Sequence, residues 1–125
     1  GVDIVVDNPN MEVGEETFIT AKLTDQFGNP VKPGTAVYFS TDLGSVSGSA
    51  FTDDFGLARN PNDGTGIIRL SCIGLNITDD GGTGTLVATT IDENGNEISQ
   101  SVDFSCGSSK ALVAGTPTDF ELDAG

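Results

Sequence analysis

The sequence contains no histidine and no tryptophan, and it has a single tyrosine. Histidine is the usual proton carrier in catalysis and a common zinc ligand, and the large aromatic residues supply stacking surfaces for ligands. The shortage of these residue types weighs against acid–base catalysis, zinc binding and sugar stacking. We therefore predict that the chain is not an enzyme.

Positive charge is also scarce. Five Lys and Arg residues stand against nineteen Asp and Glu residues, which gives a formal net charge of -14. A field of this sign repels nucleic acid and anionic lipid surfaces, and no apolar run approaches the roughly 18 residues that cross a bilayer. We expect neither nucleic acid partners nor membrane insertion.

The chain begins at Gly1 without an initiator Met or a signal-like segment, which indicates a processed or excised piece.

Turn-forming residues punctuate the chain. Glycine, asparagine and aspartate recur about every ten residues, between short segments in which apolar and polar residues alternate. This pattern is typical of an all-β sandwich or barrel, and no long stretch has a helical period. We predict an immunoglobulin-like, two-sheet Greek-key sandwich of about seven strands. The predicted strands span residues 2–6, 16–25, 35–41, 45–52, 66–73, 83–91 and 97–106.

The alternation also predicts which side chains form the core. Side chains of a strand point to opposite faces in turn, so the apolar residues of one parity face inward. The inward candidates are Ile19, Ala21, Leu23, Val37, Phe39, Ile68, Leu70, Leu86, Ala88, Ile98, Val102 and Phe104. These residues would fill the space between the two sheets.

Two of the predicted strands end in cysteine, at residues 67–72 and 99–106. In each strand the cysteine shares parity with the apolar residues before it, so both thiols point inward. The fifth and seventh strands of the predicted fold lie in opposite sheets but run in the same direction, which brings Cys72 and Cys106 to one end. We predict a disulfide across the core, which suits an oxidising compartment. Two reduced core cysteines are the alternative.

Four segments carry a family resemblance: residues 19–31 (ITAKLTDQFGNPV), 34–41 (GTAVYFST), 52–58 (TDDFGLA) and 82–89 (GTGTLVAT). They resemble the bacterial immunoglobulin-like (group 1) repeats of the invasin and intimin surface adhesins. The resemblance covers about residues 12–106, and the TDxxGNPV turn is its most specific element. It implies a non-catalytic module at the cell surface, outside the cell, that extends or presents an adhesin-like protein in a tandem array.

The sequence departs from the family pattern in its two cysteines and in a polar loop at residues 59–65. Loops on rigid sandwiches often carry recognition, so Asn60, Asn62 and Asp63 are candidate binding residues.

A binding module is therefore a second hypothesis for the function of the chain. It would recognise a surface receptor or a glycan through the loops at residues 42–48, 59–65 and 76–83. Tyr38 and Phe55 are its plausible aromatic members.

The chain divides into three parts by composition. Residues 1–107 form the predicted sandwich, residues 108–116 are a linker of small residues, and residues 117–125 resemble the beginning of the chain. The last part is predicted to be the first strand of a following repeat, so neighbouring repeats are the expected partners. Alternatively, residues 111–123 are a donor strand that completes the sheet of a like subunit in a fibre.

The acidic turns invite a calcium hypothesis. Asp92, Asn94 and Asn96 alternate as the first ligands of a calcium loop do, but Glu97 stands where that loop requires glycine. We therefore favour the interpretation that this segment is a tight hairpin turn. The remaining acidic candidates are Asp53, Asp54, Asp63, Asp79 and Asp80. We expect no cofactor, with calcium as the one candidate.

Overall fold

The computed structural model describes residues 1–74, 76–77 and 82–107. This part of the chain is all-β. Its ten strands are β1 (Val2–Val6), β2 (Asn10–Met11), β3 (Glu16–Leu23), β4 (Ala36–Thr41), β5 (Ser45–Val46), β6 (Ser49–Thr52), β7 (Ala58–Arg59), β8 (Ile68–Ser71), β9 (Gly82–Ile91) and β10 (Glu97–Cys106). The predicted linker and the segment at residues 117–125 lie outside the described residues.

The strands form two sheets, so the predicted all-β sandwich is confirmed. Sheet A has the order β1-β3-β8-β5, and sheet B has the order β2-β10-β9-β4-β6-β7. Neighbouring strands are antiparallel, except that β2 runs parallel to β10. The two-residue strands β2 and β7 account for much of the difference from the seven predicted strands, because such short segments show no periodicity.

Strand parity predicts the core well. Of the predicted inward residues, the following are buried: Ile19, Ala21, Leu23, Val37, Phe39, Ile68, Leu70, Cys72, Leu86, Ala88, Phe104 and Cys106. The prediction for Ile98 is wrong, since its side chain is 36% exposed. The first five residues of β10 are exposed on both faces, so this end of β10 is not covered, although its neighbour Thr90 on β9 is buried. Val102 is half-buried against the core.

The strand predicted at residues 45–52 is in fact two strands in different sheets. β5 pairs with β8 in sheet A, whereas β6 pairs with β4 in sheet B. The crossing lies between Ser47, whose N–H donates to the carbonyl of Arg69, and Gly48, whose carbonyl accepts from the N–H of Phe39. Because the alternation continues through the crossing, sequence parity cannot reveal it.

The chain enters and leaves the sandwich at opposite ends. Near its start, the N–H of Thr24 donates to the carbonyl of Gly1 over 2.9 Å. At the far end, the N–H of Gly107 donates to the carbonyl of Met11 over 2.7 Å. β9 and β10 span the whole distance between the two ends, since Glu97 pairs with Ile91 and the last residue of β10 pairs with the first of β9.

We call the two ends the N-terminal pole and the disulfide pole. The N-terminal pole carries Gly1 and the turns Asp25–Asn29, Asp53–Leu57 and Asp92–Asn96. The disulfide pole carries Cys72, Cys106 and Gly107. Across the described residues, no helix is long and apolar enough to cross a membrane.

Candidate functional site

A disulfide joins the two sheets at the disulfide pole. The sulfur atoms of Cys72 and Cys106 are 2.05 Å apart, the Cα atoms are 5.7 Å apart, and both residues are fully buried. Cys72 directly follows β8 of sheet A, and Cys106 ends β10 of sheet B. The bridge therefore crosses the core, as the strand parity predicted.

The backbone around Cys72 holds the same pole together. Its N–H donates to the carbonyl of Glu15 over 2.8 Å, and its carbonyl accepts from the N–H of Gly14 over 2.9 Å. Met11 is fully buried beside the bridge, with its sulfur 3.9 Å from that of Cys72. These contacts give the sulfur cluster a structural role in closing the sandwich.

The N-terminal pole carries three copies of one turn, with the sequence pattern Asp-x-x-Gly-x. In each copy the aspartate Oδ1 accepts from the backbone N–H groups two and four residues later, over 2.8 to 3.0 Å. The N–H of the aspartate donates to the carbonyl four residues on, and the glycine N–H donates back to the aspartate carbonyl. The glycines Gly28, Gly56 and Gly95 have φ of 83°, 79° and 83°, a region that favours glycine.

This hydrogen bonding explains why the acidic turns resemble calcium loops in sequence. Oδ1 of Asp53 and of Asp92 already accepts two N–H donors, and Oδ2 of Asp53 lies 3.2 Å from Nε of Arg59. Burial raises the pKa of Asp53, but the two N–H groups of its turn and the Arg59 guanidinium lower it more. The pKa therefore lies below the ordinary value of 3.8. Aspartate serves these turns as a hydrogen-bond acceptor.

The other acidic candidates do not join these turns into one site. Asp54 is exposed at the N-terminal pole, and Asp63 lies on a different loop. Asp79 and Asp80 fall outside the described residues. In residues 1–74, 76–77 and 82–107 there is no group of three or more metal-ligating side chains.

The candidate binding loop at residues 59–65 is folded against its own sandwich. Oδ1 of Asn60 accepts from the N–H of Asn62 over 3.0 Å, which forms a local turn. Oδ1 of Asp63 accepts from the N–H and the hydroxyl of Thr65, and Oδ2 lies 3.3 Å from Nε of Arg69. The Thr65 hydroxyl, the Thr65 N–H and the Arg69 guanidinium lower the pKa of Asp63, against a smaller effect of burial.

Arg69 connects this loop to the outer face of sheet A. Its Nη1 lies 3.1 Å from Oε1 of Glu16, and its guanidinium lies 5.6 Å above the ring of Phe18. Among the described residues, Arg59 thus pairs with Asp53, and Arg69 pairs with both Asp63 and Glu16. Asp53 and Asp63, which were candidates to bind one ion together, lie on separate loops and instead form ion pairs with different arginines.

Asn76 begins an Asn-Ile-Thr triplet that has the spacing of a glycosylation acceptor. Its Nδ2 donates to the carbonyl of Asp42 over 2.7 Å, and its Oδ1 accepts from the N–H of Gly44 over 3.0 Å. The amide therefore ties two loops of the disulfide pole together. Attachment of a sugar at Nδ2 would replace one of the two hydrogens of this amide nitrogen.

The two aromatic candidates for binding do not lie together. Tyr38 is 56% exposed on the outer face of sheet B, whereas Phe55 is 70% exposed at a turn of the N-terminal pole. Sequence reasoning missed two apolar residues that share the outer face with Tyr38, namely Phe51 and Ile91. Their outward parity was visible in the sequence, but the order of strands that brings them together was not.

Comparisons with known proteins give the fold. No family model matches the sequence, and no curated protein matches it either. The structure is similar to a C-terminal 282-residue fragment of intimin, solved in complex with the intimin-binding domain of the translocated intimin receptor. The two share 17% identity over 85% of this chain and 33% of that one, with a TM-score of 0.59.

A second similar structure is the D0-D1 domain of intimin. It shares 19% identity over 82% of this chain and 46% of that one, with a TM-score of 0.54. The chain thus spans a third to just under half of the intimin fragments that it matches. These likenesses identify the fold as an immunoglobulin-like sandwich.

Proposed function

We propose that the chain is a non-catalytic, extracellular structural module that extends or presents an adhesin-like cell-surface protein. The observation that carries this proposal is the position of Gly1 and Gly107 at opposite poles. A module with this geometry adds its full length when modules are joined end to end, whereas a module with adjacent ends does not. The expected neighbours are therefore further immunoglobulin-like repeats in a tandem array.

The finer assignment is a bacterial immunoglobulin-like group 1 repeat. It is supported by the TDxxGNPV turn, by the sequence segments described above, and by the fold shared with intimin. A disulfide that joins the two sheets suits a protein outside the cell, where thiols are oxidised and domains meet proteases and mechanical load. In this proposal residues 117–125 begin the next repeat.

A receptor is a further partner for the whole protein. One intimin fragment of this fold was solved bound to a receptor domain, and we extend to this chain only the class of partner. The loop at residues 59–65 forms hydrogen bonds within itself and an ion pair with Arg69. These contacts support a scaffolding role for Asn60, Asn62 and Asp63 over a role in recognition.

A fibre subunit is the second candidate, and one observation favours it. From Glu97 to Phe104 the outer edge of β10 pairs with no strand among the described residues. An unpaired edge of this length is able to accept a strand from another chain. In that case residues 111–123 of one copy would add to β10 of the next.

Sedimentation of the full chain and of a chain that ends at Gly107 separates these two candidates. A structural module keeps the same association state and shape after the deletion, with calcium or with chelator. A fibre subunit forms polymers as the full chain and loses them on deletion. Association that depends on calcium would instead indicate that the acidic turns bind the metal.

A further inference from the structure

The outer face of sheet B is an exposed surface without charge at its centre. The outward residues of its middle strands β4, β6 and β9 are Ala36, Tyr38, Ser40, Ser49, Phe51, Thr83, Thr85, Val87, Thr89 and Ile91. Tyr38, Phe51 and Ile91 are 56%, 45% and 51% exposed. Exposed apolar patches of a few hundred Å² commonly mark interaction sites.

The outer face of sheet A is different. Its exposed apolar residues, Val5 and Phe18, share that face with charged side chains. Asp3 pairs with Lys22 across β1 and β3, and Arg69 lies over the ring of Phe18. The uncharged aromatic surface is therefore a property of sheet B.

One row of side chains crosses sheet B at right angles to the strands. Arg59 pairs with Phe51, and Phe51 pairs with Ala36. The register that pairs Tyr38 with Thr89 places Ala36 opposite Ile91, and Ile91 pairs with Glu97. The row thus begins with a positive charge, continues through three apolar residues and ends with a negative charge.

We propose that this face binds a second copy of the same chain, face to face, about a two-fold axis parallel to the strands at Ala36. Such an axis reverses the row, so Arg59 of each copy meets Glu97 of the other and Phe51 meets Ile91. The contact is self-complementary, as a two-fold interface requires. Arg59 already holds Asp53, but its five N–H donors leave room for a second carboxylate.

The self-complementary order of the row identifies a second copy as the occupant. Two chains with a net charge of -14 repel each other, so they associate only where they bring no like charges together. The centre of this face is neutral, and the reversed row pairs opposite charges at both of its ends. The contact is small for a stable dimer, so the association is weak and transient.

The test is sedimentation equilibrium of the full chain from micromolar to millimolar concentration. We expect a monomer–dimer equilibrium that strengthens as salt is raised, because salt screens the net repulsion. Phe51→Ser removes the aromatic contact and lowers the association constant by about tenfold or more. Val5→Ser, at an exposed site on the outer face of sheet A, is the matched control and leaves the constant unchanged.

Charge reversal tests the geometry of the row. Arg59→Glu and Glu97→Arg each weaken self-association, because each places like charges together. An equimolar mixture of the two variants forms heterodimers more strongly than either variant forms homodimers, since both charged contacts are then restored. Within one chain the two residues lie four strand spacings apart, about 19 Å, so an intramolecular effect does not explain the rescue.

Glu97 and Phe51 are exposed, and thermal unfolding checks that their variants fold as the unchanged chain does. A monomer at all concentrations overturns the proposal. So does a dimer that Phe51→Ser leaves intact, or one that requires residues 108–125. Absence of rescue in the mixture rejects the two-fold arrangement.

Discussion

The sulfur of Met11 lies 3.9 Å from the sulfur of Cys72, inside the end of the sandwich where the chain leaves it. Met11 belongs to β2, which joins sheet B beside β10, whereas Cys72 follows β8 of sheet A. The disulfide and the methionine together therefore fasten both sheets at one pole. The carbonyl of Met11 also accepts the N–H of Gly107, so the point where the chain leaves is part of the same cluster.

Removal of the disulfide destabilises the domain. The bridge joins two cysteines with a sequence separation of 34, and closing a loop of this size corresponds to roughly 3–4 kcal/mol in the chain-entropy model. Urea unfolding of Cys72→Ala/Cys106→Ala should show a decrease of this size. The unchanged chain under reducing conditions is the control and should show a similar loss. A decrease well below about 1 kcal/mol would contradict the structural role given to the bridge.

Two glycines in equivalent turns should differ in their tolerance of alanine. Gly28 and Gly56 have nearly the same positive φ, which costs alanine about 1–2 kcal/mol at either site. A Cβ at Gly28 meets no atom within 4 Å, whereas a Cβ at Gly56 comes within 2.5 Å of the carbonyl oxygen of Leu23. We expect Gly56→Ala to lose roughly 1–3 kcal/mol more than Gly28→Ala in urea unfolding.

Equal losses in the two variants would show that the turns at the N-terminal pole are not packed together. The N–H of Leu23 also donates to the carbonyl of Gly56 over 2.8 Å, so this site joins β3 to the turn after β6. Gly95→Ala is a second control, because Gly95 has the same conformation and no atom near its Cβ position.

Asp53 and Asp63 should make stability fall in acid. Folding lowers the pKa of both carboxyls from the ordinary value of 3.8. Their contribution is fully present above that value and is lost as the pH falls through the lower, folded-state pKa. Asp53→Asn and Asp63→Asn should therefore reduce stability near neutral pH, and the difference from the unchanged chain should shrink in strong acid.

Thermal unfolding across the acid range measures this difference for each variant. Asp54→Asn, at an exposed neighbouring position, controls for the loss of one negative charge from an acidic chain. A destabilisation by Asp53→Asn that is the same at all pH values would indicate that the aspartate acts by packing alone.

The sequence was sufficient to predict the buried faces and the disulfide. Alternation records which side of a strand is covered, and this rule works for Leu70, Phe104 and both cysteines. It fails at Ile98, because parity assigns a face but does not say whether the opposite sheet reaches it. How much of each strand the opposite sheet covers depends on strand lengths and packing.

Other features depend on tertiary pairing. The passage of the chain between sheets at Ser47 and Gly48 leaves the alternation unchanged, so the sequence predicts one strand where there are two. The row from Arg59 to Glu97 is assembled from five strands and cannot be deduced from sequence spacing. The calcium-like pattern at Asp92 arises because hairpin turns and calcium loops both use aspartate, asparagine and glycine.

Small-angle X-ray scattering from two joined modules tests the central claim most directly. Residues 1–107, the segment 108–116 and a second copy of 1–107 would be combined, with Phe51→Ser in both copies to prevent face-to-face contact. Opposite poles predict that the second module adds at least about 33 Å to the maximum dimension, the length of a ten-residue strand, while the cross-section stays that of one sandwich. A particle with the length of one module and twice its cross-section would contradict the proposed role in an end-to-end array.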